Sequence, residues 1–440
     1  MKPYWILILC PLLAVARPAA AAAPTLHRRT LPNGVEVCYL HAKGSTNFSM
    51  FTFLPMGLAW DDAGHAQWAH LIEHLVIRTT VPGPLTNVNA ETLPDHMRLD
   101  YYGSEGNWRE GVRHHARWLA GEPFTDESVR VEPARANAET EHAVRMLATH
   151  KFATAAWGQV CRHGADRAAV QGDIMAIGRA ALQAYRDERL VIPAHITVCA
   201  IGGVDPTEFL AAAEEALAAA KGADSDASGA VAPVNARAAQ ALQPGERQAT
   251  WDLEARHVML TWPIPSPEKD PEAYAALMVL GRLLWMDMAQ DRELQRSFGM
   301  VLTGTDLRSP EGSYFYVSAP VRPEAGGDVK ALVDRVSHLL GTIKQLPPAG
   351  VRQVAAQLVA EMDVMDPAVL LAAAPAHLKP QMVEAQVAIT WGTAEYRMGS
   401  RRAALGTALR AVTVAQLRRV VSEYLKAGRR TSLELRPDGR

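Results

Sequence analysis

The chain has 440 residues, of which 48% are hydrophobic and 21% charged, a composition typical of globular rather than disordered proteins. Its formal net charge is −2, so no excess of charge points to nucleic acid or an anionic membrane as a partner. The length exceeds that of one ordinary hydrophobic core and predicts two domains.

The first 23 residues predict a cleaved secretory signal peptide. Lys2 precedes a short apolar run at residues 4–16, and small alanines follow at residues 19–23. The apolar run is shorter than the roughly 20 residues that a membrane-spanning helix needs. We therefore expect a periplasmic or secreted bacterial protein with no membrane span after cleavage.

Three cysteines remain after this cleavage, namely Cys38, Cys161 and Cys199. They are too few and too widely spaced for a disulfide framework. Because each lies in an apolar run, we expect them to be small buried hydrophobic side chains.

The first predicted elements are two strands followed by a helix. Residues 31–40 combine a Pro-Asn-Gly turn with the alternation of a strand, and residues 47–54 predict a second strand. Residues 64–78 predict a helix that is apolar on nearly all sides. A helix with this pattern is expected to be buried.

Further helices follow in the same half. Residues 107–120 predict an amphipathic helix, whose apolar stripe consists of Trp108, Val112, His115 and Leu119. Thr125 is a plausible N-cap for a long helix that runs to about residue 150. Residues 174–190 predict another helix, and residues 195–201 a strand.

The second half repeats the closing pattern of the first. Residues 176–190 align without gaps on residues 411–425, and each segment precedes a strand. Residues 221–248 are rich in Ala, Gly, Ser, Asp and Pro without a period, which indicates a linker. We therefore predict domains at residues 24–220 and 249–440.

The helix at 64–78 carries the motif His-Leu-Ile-Glu-His. His70, Glu73 and His74 fall on one side of that helix. Two imidazoles and a carboxylate on a buried helix are costly unless they have a partner, and neutral imidazole nitrogens suit zinc. The motif therefore predicts a metal site.

A hydrolytic zinc site needs a third protein ligand. The long helix after Thr125 offers Glu132, Glu139 and Glu141. Glu132 and Glu139 lie two helical turns apart and share a face, so one can bind metal while the other supports a ligand.

These residues resemble the pitrilysin/insulinase family of inverted-motif zinc peptidases, nearest to its single-chain bacterial and mitochondrial-processing-type members. That family combines His-x-x-Glu-His with a later Glu-x6-Glu helix, often with Asn-Ala before the second Glu. Residues 132–139 read Glu-Pro-Ala-Arg-Ala-Asn-Ala-Glu. The resemblance implies Glu139 as the third ligand and Glu132 as the supporting carboxylate.

The resemblance extends over residues 26 to about 437. Residues 31–34 (LPNG) resemble the start of the first strand, and residues 257–263 (HVMLTWP) the start of the second domain. Residues 89–92 (NAET) resemble the family's active-site edge strand, which implies that Asn89 and Ala90 bind substrate.

The implied fold is α+β, with two similar α/β-roll halves, each a mainly antiparallel sheet packed by helices, that enclose a chamber. The implied function is a zinc metalloendopeptidase with one Zn²⁺ per chain and Glu73 as general base. Its expected substrates are short or unfolded polypeptides. The resemblance also implies a homodimer or a related partner subunit.

Several positions depart from the family pattern. The gap between His74 and Glu139 is short, so Glu141 is an alternative third ligand. The acidic residue that precedes the zinc helix is predicted to be Asp61 or Asp62.

In the second half, Leu302 occupies the place of a substrate-binding Tyr, and Arg296 or Arg292 corresponds to a substrate-binding Arg. The alternative function is a catalytically silent scaffold or the partner subunit of a two-chain peptidase. Silent relatives typically lose a ligand or the base, whereas this sequence keeps all of them.

Overall fold

Alternating apolar residues build two β-sheets, and helices with one apolar face cover them. The architecture comes from a computed structural model of the chain. The residues that this structure describes are 24–57, 61, 65–81, 87–93, 96–146, 156, 174–191, 195–218, 220, 244–251, 253–267, 269–306, 313–322, 327, 329–364, 380–398 and 401–438.

The first sheet has the strand order β1-β2-β6-β3-β5-β4. β2 and β6 run parallel, and the other neighbouring strands run antiparallel. β4 is the last strand at one edge of this sheet. The strands are β1 (Thr25–Thr30), β2 (Glu36–His41), β3 (Asn47–Leu54), β4 (Val88–Thr92), β5 (Met97–Ser104) and β6 (Thr197–Gly202).

Five helices belong to the same half: α1 (Trp68–Thr80), α2 (Trp108–Ala120), α3 (Asp126–Met146), α4 (Arg179–Arg189) and α5 (Pro206–Leu217). The predicted apolar stripe of α2 is buried at all its positions, Trp108, Val112, His115 and Leu119. Thr125 caps α3 as predicted, because its Oγ1 accepts the backbone N–H of Ser128 at 3.1 Å.

The second sheet has the order β7-β11-β8-β10-β9. Its strands are β7 (Gly245–Trp251), β8 (His257–Ile264), β9 (Leu302–Asp306), β10 (Ser313–Pro320) and β11 (Thr431–Pro437). Its helices are α6 (Pro271–Gln290), α7 (Arg292–Ser297), α8 (Val329–Thr342), α9 (Pro348–Val364), α10 (Pro380–Met398), α11 (Arg401–Arg410) and α12 (Val414–Tyr424).

The two sheets share one topology. The order β7-β11-β8-β10-β9 matches β2-β6-β3-β5-β4, and in each sheet the first pair of this series is parallel and the rest antiparallel. The predicted class, α+β with two similar, mainly antiparallel sheets packed by helices, is therefore confirmed.

Helix α10 comes from the second half of the chain but packs on the first sheet. Trp391 is fully buried there against apolar side chains of β2, β3 and β6. At the same surface the guanidinium of Arg28 donates to the buried carboxylate of Glu395. In the other direction, Ala156 of the first half packs on the second sheet. The sequence did not predict that residues of each half pack on the sheet of the other half.

Some element boundaries differ from the prediction. α1 begins at Trp68 rather than residue 64, because Gln67 adopts a left-handed conformation with φ 68°. β7 begins at Gly245, inside the segment predicted as linker, since it pairs in parallel with β11. Its alternating half-buried and exposed residues give little apolar signal to predict from.

Cys38 and Cys199 are buried and unbridged, as predicted. Residues 1–23, Cys161 and residues 221–243 lie outside the described residues, so the predicted signal peptide and most of the predicted linker stay predictions. Among the described helices, none combines the length and apolar character that crossing a lipid bilayer requires.

Candidate metal centre

The helix that carries the motif is held at its N-terminal end by a buried carboxylate. Asp61 is 3% exposed, and its two oxygens accept the backbone N–H of Ala69 at 3.2 and 3.3 Å. The hydroxyl of Tyr185 donates to the same carboxylate at 2.7 Å. A negative charge at this end complements the helix dipole. Asp61 thus occupies the predicted position before the helix, whereas Asp62 lies outside the described residues.

His70, His74 and Glu139 form one cluster of metal-ligand type. One ligand atom from each lies within 4.8 Å of the others. The ring centroids of His70 and His74 are 5.0 Å apart, and Nε2 of His74 lies 3.4 Å from Oε2 of Glu139. Glu141 is not part of this cluster. Of the carboxylates on α3, the structure therefore brings Glu139 to the two imidazoles.

Glu132, two helical turns before Glu139 on the same face of α3, orients an imidazole. Its Oε2 lies 3.0 Å from Nδ1 of His74, and its Oε1 accepts from Nη1 of Arg135 at 2.7 Å. The side chain of Glu132 is almost fully buried, and Nε of Arg78 lies 3.8 Å from it. Because Nδ1 of His74 is engaged, Nε2 is the ring nitrogen that faces the cluster.

Thr140 contacts the Nδ1 atom of the other imidazole, as Glu132 does for His74. Its Oγ1 lies 3.3 Å from Nδ1 of His70, which leaves Nε2 of that ring as a ligand atom. Thr140 was not predicted from the sequence. Its position directly after Glu139 was the available signal, but a threonine inside a helix rarely indicates a function by itself.

Glu73 lies on the same helix, between the two histidines, and is 9% exposed. Its Oε2 accepts a hydrogen bond of 2.7 Å from the hydroxyl of Thr92, the last residue of β4. Glu73 is thus not a member of the ligand cluster, and its carboxylate is tied to the edge strand of the first sheet.

The surroundings of the cluster favour a neutral ring for His70 and the protonated form of the Glu73 carboxyl group. Burial, helped by the neighbouring His74, lowers the pKa of His70 to about 4. Burial raises the pKa of Glu73 to about 7. Burial also disfavours a charged His74, but hydrogen bonds and charges from Glu139, Glu73 and Glu132 outweigh it and raise its pKa. The hydrogen bond with His74 lowers the pKa of Glu139.

The residues predicted to bind substrate come from both halves of the chain. Asn89 is exposed and Ala90 half-buried on β4, which has β5 as its partner in the first sheet. Arg296 lies on α7 in the second half, where it lines a surface depression of about 480 Å³ with Arg292, Gln295 and Arg322. Among the described residues, Arg296 forms no hydrogen bond or ion pair with the metal cluster. Leu302, at the predicted Tyr position, is 44% exposed on β9.

The donor set can hold one metal ion. Two imidazole nitrogens and one carboxylate oxygen are the ligands of hydrolytic zinc sites, which keep a further position open for water. Glu139 is largely exposed, with 67% of its side chain accessible, so the cluster is reached from solvent. A buried carboxylate beside such a cluster has the placement that a general base requires.

Comparison with known proteins identifies the architecture. Residues 176–350 match the family model described as the peptidase M16 inactive domain. A protease from Helicobacter pylori is similar in structure, with a TM-score of 0.66 and 17% identity over 94% of this chain and 100% of that one. The fold is that of the M16-like peptidases.

Two further solved structures resemble the chain. The peptidase M16 inactive domain from Pseudomonas fluorescens has a TM-score of 0.65 and 13% identity, over 94% of this chain and 98% of that one. The first half of the periplasmic protease PqqL from Escherichia coli has a TM-score of 0.65 and 15% identity, over 94% and 93%. No curated protein matches the chain in sequence.

The label "inactive domain" bears on the question of activity. On its own, the family model favours a peptidase-family scaffold over an active enzyme. The matched residues, 176–350, include none of the cluster residues of α1 and α3. The matched segment therefore does not bear on the cluster of α1 and α3.

Proposed function

We propose that the chain is a zinc metalloendopeptidase of M16 type, in which His70, His74 and Glu139 hold one zinc ion and Glu73 is the general base. The observation that carries this proposal is the 4.8 Å cluster of the three ligand atoms. A zinc ion bound there would polarise a peptide carbonyl and make water more acidic.

The chain's own residues would perform the remaining chemistry. Glu73 would take a proton from the attacking water as the water oxygen bonds to the scissile carbonyl carbon. When the carbon–nitrogen bond breaks, the same carboxyl group would pass that proton to the leaving amine. Glu132 and Thr140 would keep the two imidazoles in place through their Nδ1 atoms.

The edge strand β4 gives a place for an extended peptide. A peptide that adds to this edge would pair through its backbone, so recognition would tolerate many sequences. Asn89 and Ala90 lie on that strand. The expected substrates are therefore short or unfolded polypeptides, and we expect the chain to meet them in the periplasm or outside the cell if the predicted leader is cleaved.

The test compares the purified mature chain with Glu73→Gln, by metal analysis and by cleavage of a library of unstructured peptides. We expect about one zinc per chain in both proteins, and a loss of turnover in the variant of roughly 10²–10⁴-fold, the usual contribution of a general base. Undiminished turnover by Glu73→Gln would refute the role of Glu73. A wild-type chain without zinc would refute the site.

A second candidate is a silent scaffold or the partner subunit of a two-chain peptidase. The inactive-domain label of residues 176–350 and the presence of Leu302 at the predicted Tyr position favour it. This candidate predicts that the wild-type chain binds zinc weakly or not at all and cleaves no peptide alone. Turnover that appears only when a related subunit is added would support the partner role.

A further inference from the structure

Thr92 occupies a special place on the edge strand of the first sheet. Val88, Ala90 and Thr92 alternate with the exposed residues Asn89 and Glu91, so period two places Thr92 on the same face as buried Val88. This is the face on which the strand packs with the rest of the apolar core and with α1. Thr92 therefore points toward the helix of the metal site, while its neighbours along the strand are open to solvent.

The contact between Thr92 and Glu73 is well formed. The distance from Oγ1 of Thr92 to Oε2 of Glu73 is 2.7 Å, which is the ideal length for a hydroxyl that donates to a carboxylate. Among the residues that the structure describes, Thr92 is the one hydrogen-bond donor to this carboxylate. The bond leaves Oε1 as the oxygen of Glu73 that can accept another proton.

The terminal torsion of a glutamate is soft and has broad minima. A carboxylate without a fixed partner would sample many orientations, and a misplaced base loses rate because proton transfer depends on alignment. A single hydrogen bond to one oxygen removes most of this freedom. The hydroxyl of Thr92 provides this hydrogen bond. Thr92 belongs to β4, the strand whose other residues would contact a peptide.

We propose that Thr92 is a positioning residue, whose hydroxyl fixes the carboxylate of Glu73 and connects it with the peptide-binding edge strand. This inference rests on the proposed peptidase function for its kinetic consequences. The inference also states that the orientation of Glu73 depends on the Thr92 hydroxyl. This statement holds or fails independently of activity. Thr92 is not a member of the metal-ligand cluster and acts through Glu73.

The test uses Thr92→Val, which keeps the size and β-branched shape but removes the hydroxyl, and Thr92→Ser, which keeps the hydroxyl. Thr305→Val, at a half-buried position of the edge strand β9 in the second sheet, is the matched control. The kinetic readout is kcat and KM on an unstructured peptide, together with zinc content. The structural readout is a crystal structure of each metal-free variant.

We expect Thr92→Val to lower kcat by roughly 10- to 100-fold, a part of the general-base contribution, with zinc content and KM little changed. Thr92→Ser and Thr305→Val should retain wild-type kcat. In the crystals, the carboxylate of Glu73 should rotate or lose order in Thr92→Val but stay in place in Thr92→Ser. An unmoved Glu73 in Thr92→Val, or an equal loss of kcat in the valine and serine variants, would overturn the inference.

The two proposals fail in distinguishable ways. If the wild-type chain has no peptidase activity, the proposed function fails, and the crystal structures still decide whether Thr92 holds Glu73. If the wild-type chain is active but Thr92→Val matches it in kcat, the peptidase hypothesis stands and the role of Thr92 is refuted.

Discussion

Nδ1 of His74 lies 3.0 Å from Oε2 of Glu132, so the earlier of the two paired glutamates on α3 contacts an imidazole and the later one completes the ligand cluster. Replacement of a group that orients a metal ligand typically lowers metal affinity by about 10–100-fold. We expect Glu132→Gln to raise the Kd for zinc by that factor, measured by competition with a chelator. Glu127→Gln, at an exposed site of the same helix, is the control, and an unchanged Kd in Glu132→Gln would contradict the prediction.

The choice between Glu139 and Glu141 is tested by their alanine variants. Glu139 lies in the cluster with His70 and His74, whereas Glu141 does not. We expect Glu139→Ala to lose stoichiometric zinc and Glu141→Ala to keep it, as read by metal analysis after dialysis. The reverse result would transfer the ligand role to Glu141, and retention of zinc in both variants would refute a third ligand from this helix.

The packing of α10 on the first sheet is tested at Gly392. A Cβ atom at this position would lie 2.6 Å from the buried ring of Phe53 and 3.2 Å from Cβ of Cys199. Since that ring is closely packed, Gly392→Ala should destabilise the fold by about 1–3 kcal/mol, measured by urea unfolding.

Gly341 provides the matched control, because it lies in α8 and a Cβ atom added there would meet nothing within 4 Å apart from its chain neighbours and the backbone of its own helix. Gly341→Ala should stabilise the protein by roughly 0.5–1 kcal/mol, the usual gain from alanine in a helix. Equal stability of the Gly392→Ala variant and the wild type would show that α10 does not pack closely on the first sheet.

Acid sensitivity is expected from His115, which is fully buried on α2 and contacts the first sheet. Its Nδ1 lies 2.6 Å from Oγ1 of Thr52 and its Nε2 3.2 Å from the carbonyl oxygen of Met50, contacts that suit a neutral ring. Burial lowers the pKa of His115 to about 3. The unfolded chain, with an ordinary pKa near 6.5, therefore binds a proton that the folded chain does not.

The stability that His115 contributes is complete above pH 6.5 and is lost as the pH falls toward 3. Between pH 7 and 4.5 we expect this group to remove about 2–3 kcal/mol from the free energy of unfolding. Urea titrations at both pH values should show that His115→Gln loses less stability over that interval than the wild type, by this amount. The exposed His338→Gln is the control, and identical pH profiles of His115→Gln and the wild type would contradict the prediction.

The sequence alone determined the local elements and the chemistry of the motif. The α2 stripe, the Thr125 cap and the strand at residues 47–54 follow from short-range patterns that the structure confirms. His70, Glu73 and His74 share one side of a helix because helical spacing fixes it. Helical spacing placed Glu132 and Glu139 on one face, and the family resemblance implied which of the two is the ligand. Their assignment as support and ligand stays a prediction.

Only the tertiary structure decided which distant groups meet. In the structure, Thr92 contacts Glu73, Tyr185 contacts Asp61 and Thr140 contacts His70. Helix α10 of the second half packs on the first sheet. Sequence spacing carries no information on such contacts, because they depend on how separate helices and strands pack against one another. A pattern of residues can thus predict candidate ligands of a site, while packing decides which other groups contact them.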